Sequence, residues 1–244
     1  MQLEGRNTYF GTGSDCPSTI DPETGEHRSS SKADVARTAR LVDGLENYDF
    51  FMSMGIASDA SRVTSYVHQF DAMVRNTSKP LVFTANNTAD MKDIMDLAAV
   101  VIDGGRSELK AKPRYILYNE PISPLLHSPD GVDKLLFAAE HNIPVIYIAS
   151  PMMGGTAPVT MAGCIAQANA ESLSGLVIHQ LKKPGAPFVY GADATILDMK
   201  TMIFSYGCPE LQLMDVAFAG LARKYELPLF CIGGATDSKV VDAQ

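Results

Sequence analysis

The sequence predicts an α/β fold of the (β/α)8 TIM-type barrel class, incomplete within these 244 residues. Short apolar, β-rich runs alternate with stretches of helical spacing about every 30–40 residues, as parallel α/β folds require. The chain has no GxGxxG pattern, which a doubly wound dinucleotide-binding sheet would carry after its first strand. A barrel is therefore favoured, with its active site at the carboxyl ends of the strands.

Six segments have the composition of strands buried on both faces, because they are short, apolar and bounded by Gly, Asn, Ser or Pro. They cover 49–54, 81–85, 115–119, 145–150, 188–191 and 229–233, and a weaker candidate covers 8–11. The helical stretches cover 32–45, 60–75, 89–102, 131–141, 159–181 and 209–225. Six or seven βα units fall short of the eight in a closed barrel. We therefore expect residues 1–244 to form a single barrel domain that is a piece of a longer protein.

One segment departs from the βα alternation. The run from Asp21 to Glu26 reads Asp-Pro-Glu-Thr-Gly-Glu, a strong turn signal between two short polar arms. It predicts a β-hairpin at about 16–30 that leads into the first helix.

Composition excludes several classes of protein. The net charge of −8 argues against a nucleic-acid partner, because phosphate binding needs a basic surface. Four isolated cysteines suit a reducing compartment better than a disulfide framework. The chain shows neither a signal-like apolar start nor a run of 18 apolar residues. We expect a cytoplasmic protein that does not bind membranes and that forms a homo-oligomer.

Only residues at strand carboxyl ends and in the loops that follow can reach a barrel pocket. This rule gives two candidate catalytic residues, Glu120 and Glu210. The candidate substrate-binding residues are Tyr118, Asn119, Tyr190, Tyr206, Met152 and Gly154. Aromatic faces attract cations by about 0.5–2 kcal/mol each, so acidic and aromatic side chains together predict an ammonium ligand. Alternatives stay open, because Glu210 could simply stabilise a helix dipole and each tyrosine could be a core residue with a bonded hydroxyl.

Other barrel chemistries fit the sequence less well. The strand ends carry no lysine, which a Schiff-base aldolase would need in its pocket. The five histidines are dispersed, so we expect no metal bound by this chain. Gly233-Gly234 could form a phosphate loop, which leaves a barrel lyase acting on a small phosphorylated substrate as one rival. A non-catalytic binder of methylated amines is the other.

Several motifs together resemble the trimethylamine methyltransferase family. They are Asn7–Gly13, Asp21–Glu26, Ala33–Asp43, Pro151–Thr160, Tyr206–Glu210 and Gly233–Gln244. The resemblance implies a (β/α)8 barrel that is considerably longer when complete. It also implies transfer of a methyl group from a methylated amine to the Co(I) of a corrinoid carried by a separate protein. The corrinoid-binding signature Asp-x-His-x-x-Gly is absent from this chain, so the cofactor is expected to arrive on the partner protein.

The resemblance leaves the amine open. The trimethylamine enzymes use a pyrrolysine, and none is written in these 244 positions. That residue lies outside this stretch, or the protein is a relative without it that acts on quaternary amines such as glycine betaine. We favour the second reading. A quaternary ammonium already carries a good neutral leaving group, so it needs no additional covalent group to activate the amine.

Overall fold

The computed structural model describes residues 2–3, 5, 7–102 and 104–233. The chain divides into two compact units, Met1–Leu117 and Tyr118–Gln244, and the division falls inside one strand. We treat each unit by itself below.

The N-terminal unit is built on parallel strands. Strand β3 (Leu81–Phe83) pairs with β4 (Tyr115–Asn119), and every residue of β3 is buried. Single parallel bridges continue the pattern, from Leu81 to Phe51 and from Phe50 to Gly11. The predicted strands at 49–54 and 8–11 are thus present only as bridges. The helices of this unit are α1 (Lys32–Asp43), α2 (Ser65–Val74), α3 (Thr88–Val101) and α4 (Gly105–Ala111).

The predicted hairpin is present in this unit. Strands β1 (Ser18–Ile20) and β2 (His27–Ser29) pair antiparallel. The Arg28 guanidinium donates to Asp21 in the turn at 2.8 Å and to both oxygens of Asp34 at 2.6 and 2.8 Å. Asp34 also completes a capping box with Ser31 at the start of α1. One guanidinium therefore joins the hairpin turn to the first turn of the helix.

The C-terminal unit has a second set of parallel strands. Strand β7 (Phe188–Ala192) lies between β5 (Val145–Ala149) and β10 (Leu229–Phe230). All residues of β5 and β7 are buried, as expected where helices cover a parallel sheet. The helices of this unit are α5 (Pro129–His141), α6 (Met161–Lys182) and α7 (Pro209–Tyr225).

The connection between β7 and α7 contains further short strands. Strand β8 (Thr195–Asp198) pairs antiparallel with β9 (Ile203–Phe204) and parallel with β6 (Met152–Met153). The loops that follow β5 and β7 are thereby joined in a small three-stranded sheet.

The predicted α/β class is confirmed, with parallel strands and seven helices in the described part of the chain. Closure into a single barrel stays a prediction. Helix α4 was not predicted from the sequence. Leu109 is its one buried residue, so the segment has no apolar periodicity to detect. Among the described residues no helix is long and apolar enough to cross a membrane.

Candidate functional site

Tyr118 and Glu120 come together at the carboxyl end of β4. Tyr118 lies in β4 and Glu120 is the first residue after it, and the Tyr118 hydroxyl is hydrogen-bonded to the Glu120 carboxylate. Burial, together with the charges of Glu120 and Asp193, raises the pKa of Tyr118 far above its usual value. Phe230 packs edge-to-face on the Tyr118 ring, with centroids 6.1 Å apart. Glu120 itself is exposed.

Asp193 belongs to the same cluster, although the strand-end rule did not yield it. It directly follows β7 and is only 4% exposed. Its Oδ1 atom is buried and accepts no hydrogen bond among the described residues. Burial, followed by the charges of Asp215 and Glu120, raises its pKa to about 7. The strand-end rule missed Asp193 because the predicted strand stopped at residue 191. Strand β7 ends one residue later, so Asp193 is the first residue after it.

Asp215 and Cys231 extend the acidic region. Burial raises the pKa of Asp215, on α7, to about 7, and its Oδ1 is likewise buried with no partner among the described residues. Cys231 follows β10, and burial together with Asp215 and Asp193 raises the pKa of its thiol to about 11. Every one of these shifts is in the direction that a negative, poorly solvated environment produces. Such an environment favours a bound cation.

The raised pKa of Asp193 predicts a pH-dependent stability. Between its ordinary value near 4 and about 7 the folded state keeps a proton that the unfolded state has lost. Stability should therefore fall as pH rises through this window, by about 1.4 kcal/mol per pH unit for each such group. We expect Asp193→Asn to reduce this slope in urea unfolding at pH 5, 6, 7 and 8. Identical slopes for the variant and the parent protein would contradict the assignment.

Tyr206 and Glu210 follow the small sheet. Tyr206 is 37% exposed and lies against Phe204, with ring centroids 4.6 Å apart. It is close enough to Tyr118 to contribute to the raised pKa of that hydroxyl. Glu210 lies in the first turn of α7 directly after Pro209. That position is the one in which a carboxylate stabilises the helix dipole.

The structure does not bring Asn119 or Tyr190 to the cluster. Asn119 is buried and donates from Nδ2 to the Gly131 carbonyl at 2.8 Å, which joins β4 to the start of α5. Tyr190 is fully buried, donates its hydroxyl to Asn169 at 2.9 Å and packs edge-to-face on Tyr225. Its two partners lie on helices, Asn169 on α6 and Tyr225 on α7. These contacts are those of a core tyrosine with a bonded hydroxyl, the alternative that the sequence left open.

Met152 and Gly154 form the turn that opens the small sheet. The Met152 amide donates to Thr156 Oγ1 at 2.9 Å. Gly154 has φ +83°, a left-handed conformation that a side chain would strain, and its amide donates to the Ala157 carbonyl at 3.0 Å. The described contacts of both residues are those of a structural turn.

Glu171 of α6 holds the loop that follows Glu120. It is buried, and its carboxylate accepts from Ser123 Oγ at 2.6 Å, Leu125 N at 2.9 Å and Gln167 Nε2 at 2.8 Å. The position of this loop therefore depends on a side chain from a different element.

We expect Glu171→Ala to lower the free energy of unfolding by about 2 kcal/mol, because it removes three hydrogen bonds to a charged acceptor. Glu171→Gln serves as the control, since its amide can still accept from the Leu125 N–H and donate to Ser123. Urea unfolding of both variants makes the comparison. Equal losses would show that the charge, and not the hydrogen bonding, is what matters.

Among residues 7–102 and 104–233, no group of three His, Cys, Asp or Glu side chains is arranged to hold a metal ion. Apart from Gly233, the glycine-rich stretch 233–238 of the rival phosphate site lies outside the described residues.

Comparison with known proteins decides the family. The family model described as trimethylamine methyltransferase (MTTB) matches residues 1–244. The chain belongs to this family. The methyltransferase family resemblance seen in the sequence motifs is thereby confirmed.

Two kinds of relative within the family are similar to this chain. The trimethylamine methyltransferase MttB of Desulfitobacterium hafniense (strain DSM 10664 / DCB-2) is 33% identical over 242 residues, which are 99% of this chain and 49% of the relative. MttB of Methanosarcina barkeri (strain Fusaro / DSM 804) is 34% identical over 216 residues, 88% of this chain and 44% of the relative. A glycine betaine methyltransferase of D. hafniense (strain Y51) is 30% identical over 245 residues, 99% of this chain and 50% of the relative. The chain spans about half the length of the family members it matches.

Proposed function

We propose that this chain contributes an ammonium-binding site to a methyltransferase. The enzyme would move a methyl group from a quaternary or tertiary methylamine to the Co(I) of a corrinoid on a separate protein. The observation that carries this proposal is the cluster of Tyr118, Glu120 and Asp193 at the carboxyl ends of β4 and β7. Membership of the methyltransferase family supports the reaction class.

The cluster offers an aromatic ring beside carboxyl groups. A ring face and a carboxylate both attract an alkylated ammonium, whose methyl groups shield its charge from water. The corrinoid supplies the nucleophile when its carrier protein is bound. The residues of this chain hold the ammonium, orient one methyl group and limit access of water. The nitrogen loses its positive charge when the carbon–nitrogen bond breaks, so the carboxylate binds the substrate more strongly than the neutral amine that leaves.

We favour a quaternary substrate of the glycine betaine type. The similarity to a glycine betaine methyltransferase supports this choice. The trimethylamine relatives keep the tertiary amine as the second candidate. The cytoplasmic location and the homo-oligomeric state remain predictions from the sequence.

The test mixes the full-length protein with reduced corrinoid and glycine betaine and follows the cobalt absorption spectrum. Conversion of the spectrum with betaine would support the quaternary branch, and conversion with trimethylamine alone would support the tertiary branch. Betaine binding without any spectral change would favour the non-catalytic binder. No binding and no conversion, in an assay where a relative is active, would overturn the proposal.

A further inference from the structure

A second polar cluster lies in the N-terminal unit, where three neighbouring parallel segments end. Gly11 is bridged to Phe50, and Phe51 is bridged to Leu81 of β3. Shortly after these three segments come, in order along the chain, Asp15, Ser53 and Thr84. With Tyr66 and Gln69 of α2 they form what we call the Asp15 cluster. Carboxyl ends of parallel strands are where α/β proteins bind their ligands.

Hydrogen bonds hold the Asp15 carboxylate in place. Its Oδ1 accepts from Ser53 Oγ at 3.0 Å and from Gln69 Nε2 at 3.1 Å, and the Tyr66 hydroxyl is also hydrogen-bonded to it. Gln69 Nε2 also lies 3.4 Å from Thr84 Oγ1. All these donors are neutral, so the negative charge of Asp15 is bound but not balanced by them.

Gln69 provides the observation that points to a ligand. The residue is 2% exposed, and its Oε1 atom is buried with no hydrogen-bond donor among the described residues. A buried amide oxygen without a donor is unfavourable, because it has lost its hydrogen bonds to water and gained none in exchange. Because the nitrogen of the same amide donates to Asp15, the unused oxygen belongs to the same cluster.

Among the described residues, no salt bridge of this unit involves the Asp15 cluster. The salt bridges of the described residues in this unit use other carboxylates, namely Asp21, Asp34, Asp71, Asp96 and Glu108. Asp90, which is 4% exposed, adds a second carboxylate close to Tyr66. It accepts from the backbone and side-chain nitrogens of Asn86, both at 2.9 Å, and those donors are neutral as well.

We propose that the Asp15 cluster binds a small alkylammonium ion that carries at least one N–H group. The N–H donates to Gln69 Oε1, and Asp15 balances the positive charge. A quaternary ammonium has no N–H and would leave Gln69 without a donor, so the cluster selects demethylated amines over quaternary ones. The choice of an alkylammonium rests on the proposed function, whereas the need for a cationic hydrogen-bond donor rests on this cluster alone.

The experiment is calorimetric titration of the full-length protein with dimethylammonium chloride and with tetramethylammonium chloride at constant ionic strength. At the Asp15 cluster, identified as the site whose binding Asp15→Asn weakens, we expect dimethylammonium to bind at least tenfold more tightly than tetramethylammonium. Asp15→Asn and Gln69→Met should each weaken that binding at least tenfold. Both replacements are close in shape, and asparagine tolerates the left-handed φ of +61° at position 15. Asp93→Asn removes an exposed charge from the same unit and should leave the affinity unchanged.

Equal affinity of the two ions at the site that Asp15→Asn weakens, dimethylammonium binding that neither Asp15→Asn nor Gln69→Met changes, or an effect of Asp93→Asn as large as that of Asp15→Asn, would overturn the proposal. An ordered water on Gln69 Oε1 in a crystal soaked with dimethylammonium, without the ion, would also overturn it. Selective binding in a protein that transfers no methyl group would uphold this site and overturn the proposed function. Variants are compared only if their thermal unfolding matches that of the parent protein.

Discussion

Replacing Glu120 by glutamine is expected to raise KM for the methylated ammonium substrate roughly 30-fold while kcat changes by less than about threefold. A carboxylate 4 Å from a cation gains ~1 kcal/mol in water and ~4 kcal/mol near a protein surface. Glu120 is exposed, so we place its contribution at about 2 kcal/mol. The attraction weakens as the nitrogen loses its charge, so it does not favour the transition state over the bound substrate, and its loss should raise KM without a fall in kcat.

Steady-state kinetics with the corrinoid partner would measure this split between KM and kcat. Glu210→Gln is the matched comparison, since the other predicted catalytic carboxylate lies in the first turn of α7. For Glu210→Gln we expect the free energy of unfolding to fall by less than about 1 kcal/mol and KM to change little. A large fall in kcat for Glu120→Gln would instead make Glu120 a proton donor or acceptor in the reaction. A large rise in KM for Glu210→Gln would return that residue to the site.

Replacing Gly191 by alanine is expected to lower the free energy of unfolding by at least about 3 kcal/mol, at the upper end of what overpacking costs. An added Cβ would lie 2.7 Å from Ile148 Cβ, 2.8 Å from Ile148 Cα and 2.9 Å from the Tyr147 carbonyl oxygen. Two of these atoms are backbone of the neighbouring strand β5, in register with Gly191. Rotation of a side chain cannot relieve such contacts.

Gly220→Ala provides the control, because no atom outside the adjacent backbone of its own helix and its two neighbouring residues lies within 4 Å of its added Cβ. It sits inside α7, where alanine is favoured over glycine by about 0.5–1 kcal/mol. Thermal unfolding of the full-length protein should therefore show a large decrease in Tm for Gly191→Ala and a small increase for Gly220→Ala. A Tm for Gly191→Ala within about 1 °C of the parent would mean that β5 and β7 pack less closely than described.

The sequence predicted the regular elements well where burial produces a clear pattern. Strand β4 has its predicted limits, and α7 begins at Pro209 and ends at Tyr225 as expected. The small sheet of β6, β8 and β9 was not predicted, because its strands are two to four residues long and partly exposed. Strands of that length leave no period that a sequence window can detect.

The site was predicted only in part for a similar reason. The strand-end rule finds the segment that carries a residue, but it does not tell which way the side chain points. Tyr118 and Tyr190 both come from strands, yet one contacts Glu120 and the other contacts helices. Asp215 and Gln69 come from helices, which the rule did not consider. Their unusual state arises from burial beside groups distant in sequence, and a single sequence does not show that.

The contacts of Arg28 also have a consequence for local opening of the N-terminal unit. Its guanidinium joins the hairpin turn and the first turn of α1, so fraying of either segment would break contacts that also hold the other. Segments connected in this way open as one cooperative unit instead of fraying separately. Amide protons in the hairpin and at the start of α1 should accordingly exchange with solvent through a shared opening event.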